Sequence, residues 1–170
     1  MTGDKRYSKA GRIVMYKKQL TKEQALQKLK HYCGYQERCH SEVKEKLYSL
    51  GVWKKDQDEI IATLIEEKYL DEERFAIAFA GGRFRLKQWG RVKIKYELKQ
   101  RQVSEYSIKK ALKLIDESDY LKVLQKLATE KYAVLKTEQH LVRKKKTIDY
   151  LLGKGFEMEL VRRAVEKAGV

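Results

Sequence analysis

Three segments of the sequence repeat one spacing of residues, and this repeat constrains the fold more than any other feature. In each copy a leucine is followed four positions later by a turn residue and five positions later by an apolar residue. The three sets are Leu47/Gly51/Val52, Leu98/Gln102/Val103 and Leu151/Gly155/Phe156. Each set is followed by two apolar residues spaced i,i+4, as one face of a helix requires. These pairs are Ile60/Leu64, Ile108/Leu112 and Val161/Val165, and the first copy has three extra residues in a predicted turn from Trp53 to Asp58.

An amphipathic segment also precedes each set, so one copy reads as three helices in about fifty residues. The intervals between glycines are rich in Lys, Glu, Leu, Ala and Gln, and the chain has no proline. We therefore expect an all-α fold of three tandem three-helix, helix-turn-helix-like repeats in an elongated, curved arrangement. The predicted repeats are residues 21–70, 71–118 and 119–170, after a basic, flexible N-terminal tail at 1–20.

Local signals place the helix ends. Thr21, Ser41 and Ser104 each precede a helix-forming run and are predicted N-caps. Gly34 and Gly153 are predicted to end helices in the left-handed conformation.

The net charge of +15 favours a polyanionic partner: nucleic acid, an acidic protein surface or anionic lipid. Residues 21–70 carry nine charges of each sign, whereas residues 71–118 carry twelve basic against seven acidic. No apolar run is long enough to span a membrane, and two cysteines do not make a disulfide framework. We expect a cytoplasmic protein without a membrane partner.

The stretch GRFRLKQWGRVKIKYELKQRQ, residues 82–102, alternates basic and apolar residues like a strand. Gly90 interrupts it, and beyond that break Arg91, Lys95 and Lys99 form an i,i+4 row. A strand would need a partner strand that the chain does not offer. We therefore interpret this stretch as a helix end, a turn and a new helix.

The basic residues of the last two repeats form two candidate binding clusters for DNA or a filament. The first is Arg83, Arg85, Lys87, Arg91, Lys95, Lys99 and Arg101, and the second is Arg143, Lys144, Lys145 and Lys146. The alternative is a solvated charged face. Few acids lie near these clusters in sequence, which favours the binding interpretation.

The run YLDEERFA at residues 69–76, then Arg83, Gly90 and IKYEL at 94–98, resembles the central signature of the RecX family, regulators of the RecA recombinase. ALQKL at 25–29 and RCHSEVKEKL at 38–47 are also similar to that family. The sequence departs from its pattern at Glu72, where a second Asp is common, and at Gln102, where glycine is usual.

The resemblance implies a protein that binds the RecA filament on single-stranded DNA and modulates it, typically by inhibiting its recombinase, ATPase and coprotease activities. Such a role belongs to DNA repair by homologous recombination and to the SOS response. The expected partners are the RecA filament, single-stranded DNA and, as a second possibility, double-stranded DNA. A monomer is expected, without a small-molecule substrate. The alternative is a stand-alone, sequence-nonspecific DNA-binding helical module.

Other features have structural explanations. Asp71, Glu72 and Glu73 are placed to offset the positive end of a helix dipole, and Phe75 and Phe79 fit a core. His31, Cys33, Cys39 and His40 straddle two helices, which is a poor arrangement for a tetrahedral zinc site. The chain also lacks nucleotide-binding loops and a nucleophile elbow. We expect no enzyme activity, no cofactor and no metal, with a zinc enzyme as a remote third alternative.

Overall fold

The computed structural model describes residues 6–7, 13–14 and 20–169. In this part of the chain nine α-helices follow one short pair of strands. The strands β1, Arg6–Tyr7, and β2, Ile13–Val14, pair antiparallel. The predicted flexible tail otherwise lies outside the described residues.

The helices form three successive groups of three, as the repeat predicted. The first group is α1, Lys22–Tyr35; α2, His40–Ser49; and α3, Lys54–Glu66. The second group is α4, Glu72–Lys87; α5, Arg91–Gln100; and α6, Glu105–Lys113. The third group is α7, Glu117–Val134; α8, His140–Lys154; and α9, Met158–Ala168. The prediction of an all-helical fold with tandem three-helix repeats is confirmed.

The chain divides after Asp71 into two compact units. The first contains α1, α2 and α3 around a core that includes Leu29, Leu47 and Leu64, all completely buried. Leu70 packs in the same core, and its side chain is 2% exposed. The second unit contains α4 to α9, in which α4 packs on α6 and α7 packs on both α8 and α9.

The turn between the second and third helix of each group has the same geometry three times. Gly51, Gln102 and Gly155 have φ values of 72°, 59° and 90°. In each turn the next residue donates its backbone N–H to the leucine carbonyl five positions earlier, at 3.2 Å. Gln102 therefore adopts the left-handed conformation that glycine adopts in the other two copies, although a side chain makes that conformation costly.

Four local predictions were wrong. Helix α2 begins one residue before Ser41, and its N-cap is Cys39, whose backbone N–H donates to Glu42 Oε2 at 3.2 Å. Gly34 lies inside α1 and Gly153 inside α8, because α8 continues to the left-handed Gly155. The three extra residues of the first copy do not lengthen its turn, because they are helical and lengthen the start of α3.

Two predicted caps are confirmed. The Thr21 side chain accepts a hydrogen bond from Gln24 N, and the Ser104 side chain accepts one from Ser107 N. Within the described residues, no helix is both long and apolar enough to cross a membrane.

Candidate nucleic-acid interface

The second unit contains a tight junction between its two three-helix groups. The backbone N–H of Gly90 donates to the carbonyl of Lys154 at 2.9 Å, and that of Val92 donates to Gly155 at 3.0 Å. A Cβ placed on Gly90 would lie 2.1 Å from the Gly155 carbonyl oxygen. Only glycine permits such an approach of two backbones, so the start of α5 is fixed against the end of α8.

Tyr120 fills the centre of this junction. Its ring is completely buried, with its centroid 5.6 Å from that of Phe84 and 5.1 Å from that of Phe156. Its hydroxyl accepts a hydrogen bond from Arg91 N at 2.9 Å and donates one to Glu157 Oε2 at 2.6 Å. Burial, and then the bond to Glu157, raises the pKa of Tyr120 far above its usual range. The hydroxyl therefore stays protonated and joins α5 to the start of α9.

Arg91, a predicted binding residue, belongs to the same junction. Its guanidinium lies 4.0 Å from the centroid of the Tyr120 ring. It pairs with Glu117 at 2.5 Å and with Glu157 at 3.8 Å, and its side chain is only 22% exposed. The Arg91 side chain is therefore already in contact with one aromatic ring and two carboxylates within the protein.

Lys95 and Lys99, the other members of the predicted row, share one acid that is distant in sequence. Lys95 Nζ lies 2.5 Å from Glu105 Oε1, and Lys99 Nζ lies 3.3 Å from Glu105 Oε2. Hydrogen bonds from Lys95 and then Lys99 hold the pKa of Glu105 below its usual value. The row exists as predicted, but part of its charge is neutralised by an acid at the start of α6.

Arg83 and Arg101 lie on aromatic rings. Both guanidinium carbons lie 4.8 Å from the centroid of the Phe79 ring, and Arg83 also lies 5.2 Å from that of Trp89. Arg101 in addition pairs with Glu97 at 2.8 Å. Phe75 is buried as predicted, whereas Phe79 is half-buried beneath these two arginines.

Arg85 and Lys87 are exposed in the last turn of α4. No carboxylate of the described residues pairs with either side chain. Cations at this end of a helix interact favourably with its dipole, which explains their position without a ligand. Both charges nevertheless remain available to a polyanion.

The second predicted cluster also contains both cations with a partner in the protein and cations without a carboxylate partner among the described residues. Arg143 is half-buried; its Nε donates to the Tyr132 carbonyl at 2.7 Å, and its guanidinium lies 3.8 Å from the centre of that ring. Lys146 pairs with Glu138 at 2.5 Å. Lys144 and Lys145 have no carboxylate partner among the described residues, and Lys145 is exposed.

The acids at the start of α4 do more than the dipole argument predicted. Glu72 accepts hydrogen bonds from the hydroxyls of Ser104, at 2.5 Å, and Ser107, at 2.8 Å. Glu73 pairs with Lys110 at 2.5 Å. These contacts attach the start of α4 to α6, and no signal in the local sequence indicated them.

The Cys/His segment does not form a metal centre in the structure. Cys33 and Cys39 are buried, and neither belongs to a disulfide bond. Across the described part of the chain, no group of three His, Cys, Asp or Glu side chains is placed to hold a metal ion.

Sequence reasoning missed four residues around the predicted clusters. Tyr120 and Glu157 hold Arg91, while Trp89 contacts both Arg83 and Lys93. Trp89 lies in the turn between α4 and α5, and Tyr120 lies in the first turn of α7.

Comparison with known proteins identifies the fold and the family. The family description "RecX, second three-helix domain" matches residues 71–112, and "RecX, third three-helix domain" matches residues 117–165. A crystal structure of RecX from Lactobacillus salivarius aligns with a TM-score of 0.78 at 21% identity, covering 86% of this chain and 96% of that one. A second crystal structure of regulatory protein RecX also gives a TM-score of 0.78, at 20% identity, covering 85% of this chain and 73% of that one.

Curated relatives named regulatory protein RecX agree. The protein from Clostridium tetani is 34% identical over 74% of this chain and 58% of its own length. The one from Leuconostoc mesenteroides is 29% identical over 74% of this chain, which spans only 47% of that relative. The one from Pelodictyon phaeoclathratiforme is 32% identical over 75% of this chain and 79% of its own length. The chain belongs to the RecX family of regulatory proteins.

Proposed function

We propose that this chain binds the RecA filament on single-stranded DNA and inhibits its recombinase, ATPase and coprotease activities. Membership of a family of regulatory proteins supports a regulatory role. Binding to the RecA filament and inhibition of its activities are our proposal for this chain.

One observation on the second unit carries the DNA part of this proposal. Five cations of the two predicted clusters have no carboxylate partner among the described residues: Arg83, Arg85, Lys87, Lys144 and Lys145. Unpaired cations gain most from a polyanion, because binding DNA releases condensed counterions without first breaking an ion pair. We propose that these five residues are the principal phosphate contacts.

The other predicted residues are proposed to have a secondary role. Lys95, Lys99, Arg101 and Lys146 can reach a polyanion only by giving up part of an ion pair. Arg91 and Arg143 are half-buried and contact rings and acceptors within the protein. We propose that Arg91 and Arg143 hold α5 and α8 in position.

Two tandem cationic groups in one unit also suit a repetitive partner. A DNA–protein filament presents the same phosphate and protein surfaces along its axis, so each further contact raises the affinity by multivalency. We propose that repeats 71–118 and 119–170 make these contacts in one monomer. Sedimentation of the free protein checks the monomeric state.

The DNA-dependent ATPase of RecA tests this function. The purified protein should lower the steady-state rate when its concentration is well below that of RecA, because a protein that blocks filament growth acts on many subunits. Electron microscopy should show shorter filaments. Unchanged ATPase and filament length would exclude this regulatory role, and DNA binding without either effect would support the stand-alone DNA-binding module instead.

A further inference from the structure

We propose that Arg83 and Lys93, both held against Trp89, form a phosphate-binding site for a nucleic-acid backbone. This inference rests on the proposed function for its ligand, and it adds two residues, Trp89 and Lys93, to the candidate interface. The site lies at the turn between α4 and α5.

The backbone fixes Trp89 beside Arg83. Gln88 has a positive φ of 53° and ends α4, with its N–H donating to the Phe84 carbonyl at 2.9 Å. Trp89 then donates its N–H to the carbonyl of Arg83 itself, at 3.3 Å. The bond from Gln88 is that of an αL C-cap, and the bond from Trp89 returns the indole to the last turn of α4.

Two rings hold the Arg83 side chain in place. Its guanidinium carbon lies 4.8 Å from the centroid of the Phe79 ring and 5.2 Å from that of the Trp89 ring. Cation–π contacts satisfy the charge without using the N–H donors. Among the described residues no carboxylate or other acceptor takes a hydrogen bond from this side chain, so its planar fork remains available.

Lys93 brings a second cation to the same indole. Its Nζ lies 4.6 Å from the centroid of the Trp89 ring and 3.4 Å from the Gly153 carbonyl oxygen. In the part of the chain that the structure describes, no acid pairs with Lys93. By contrast, Arg101 pairs with Glu97 and Lys95 pairs with Glu105. Arg83 and Lys93 are thus two half-buried cations that share one ring and have no acidic partner among the described residues.

A phosphodiester suits this pair better than an isolated carboxylate. A guanidinium offers two parallel N–H groups to two phosphate oxygens, and an ammonium on the other side can bind a neighbouring oxygen or phosphate. Because Arg83 is already held by two rings, little side-chain entropy is lost when it binds. The site reads no base and is therefore sequence-nonspecific.

Fluorescence anisotropy with a labelled oligo-dT tests the site across a salt series. Arg83→Gln should weaken binding about tenfold and Lys93→Gln about fivefold, as expected for lost hydrogen bonds to a charged group. Each should lower the slope of log affinity against log salt by about 0.7. Lys109→Gln is the matched control, since it removes one charge from an exposed position on α6 and should change affinity less than about twofold.

Trp89→Leu tests whether binding needs the Trp89 ring as well as the charges of Arg83 and Lys93. It leaves the net charge unchanged, so weaker binding would come from loss of the indole ring and not from loss of charge, and Trp89→Phe should restore much of the affinity. Circular dichroism and the midpoint of thermal unfolding check that each variant is folded. Arg83→Lys, which keeps the charge but loses the fork, should fall between the parent and Arg83→Gln.

Any of three results would contradict the proposed phosphate site. Arg83→Gln and Lys93→Gln could bind oligo-dT as tightly as the parent, or they could lose no more affinity than Lys109→Gln. The third result is that the parent protein does not bind DNA. A loss of filament binding with unchanged affinity for free DNA would assign the pair to an acidic protein surface and also reject a phosphate site. The RecA ATPase assay is separate: the site stands if these variants weaken DNA binding even when the parent leaves the ATPase unchanged.

Discussion

Gly90 and Gly155 come so close that a Cβ on Gly90 would lie 2.1 Å from the Gly155 carbonyl oxygen. The two glycines belong to different three-helix groups, and the hydrogen bond from Val92 N to Gly155 O lies between them. The second unit is therefore assembled by backbone contact as well as by side-chain packing.

Gly90→Ala should lower the free energy of unfolding by about 3 kcal/mol, because the added methyl group must separate two backbones. Urea unfolding measures this loss. Gly82→Ala is the matched control, because nothing lies within 4 Å of its added Cβ and Gly82 is inside α4. It should stabilise the protein by about 0.5 to 1 kcal/mol, and equal effects of the two substitutions would contradict the close approach.

Gln102→Gly should stabilise the protein by about 1 kcal/mol. Gln102 has a φ of 59°, and relief of that left-handed conformation should exceed the entropy cost of glycine. Gln100→Gly, two residues earlier at the end of α5, should instead destabilise by about 0.5 kcal/mol. Thermal unfolding of both variants checks the opposite signs.

Tyr120→Phe should destabilise the protein by about 2 kcal/mol. The substitution removes the acceptor for Arg91 N and the donor to Glu157 at a part-buried site, and it leaves Glu157 with only its longer contact to the Arg91 side chain. Tyr106→Phe serves as the control, since Tyr106 is 70% exposed and should change stability by less than about 0.5 kcal/mol. Chemical unfolding compares the two variants. An equal loss of stability in both would contradict the role of the Tyr120 hydroxyl in joining α5 to α9.

Lys144→Gln with Lys145→Gln should lower the salt slope of single-stranded DNA binding by about 1.4, or 0.7 for each lost phosphate contact. Lys122→Gln with Lys126→Gln removes the same charge from α7, where both lysines already face acids at 3.4 and 3.9 Å. That double variant should change the slope much less. Anisotropy titrations at several salt concentrations compare them, and equal slopes would show that the effect comes from net charge alone.

Periodicity was enough to predict the repeats and much of the core. Leu47, Leu98 and Leu151 are completely buried, as their equivalent positions required. The interpretation of Gly90 as a break is also confirmed, because it is the N-cap of α5. These features follow from local spacing and from the left-handed turn, which a sequence displays directly.

The environment of the cations could not be predicted in this way. Glu105 lies ten residues after Lys95, and Glu117 lies 26 residues after Arg91, so no local charge count places either acid beside its partner. Pairing depends on how α5 lies against α6 and α7. The cation–π contact of Arg83 with Trp89 likewise depends on the positive φ of Gln88, which a glutamine does not indicate.

The extra residues at the start of α3 show where this architecture accepts a change of length. Helix α3 has 13 residues and α6 has nine, yet the turn before each makes the same backbone hydrogen bond. In the third group, Glu157 is the N-cap of α9 and accepts the Tyr120 hydroxyl, so the start of this helix is bonded to α7 as well as to its own turn. Insertions during evolution should therefore accumulate before the third helix of the first group and be eliminated at the equivalent place in the last.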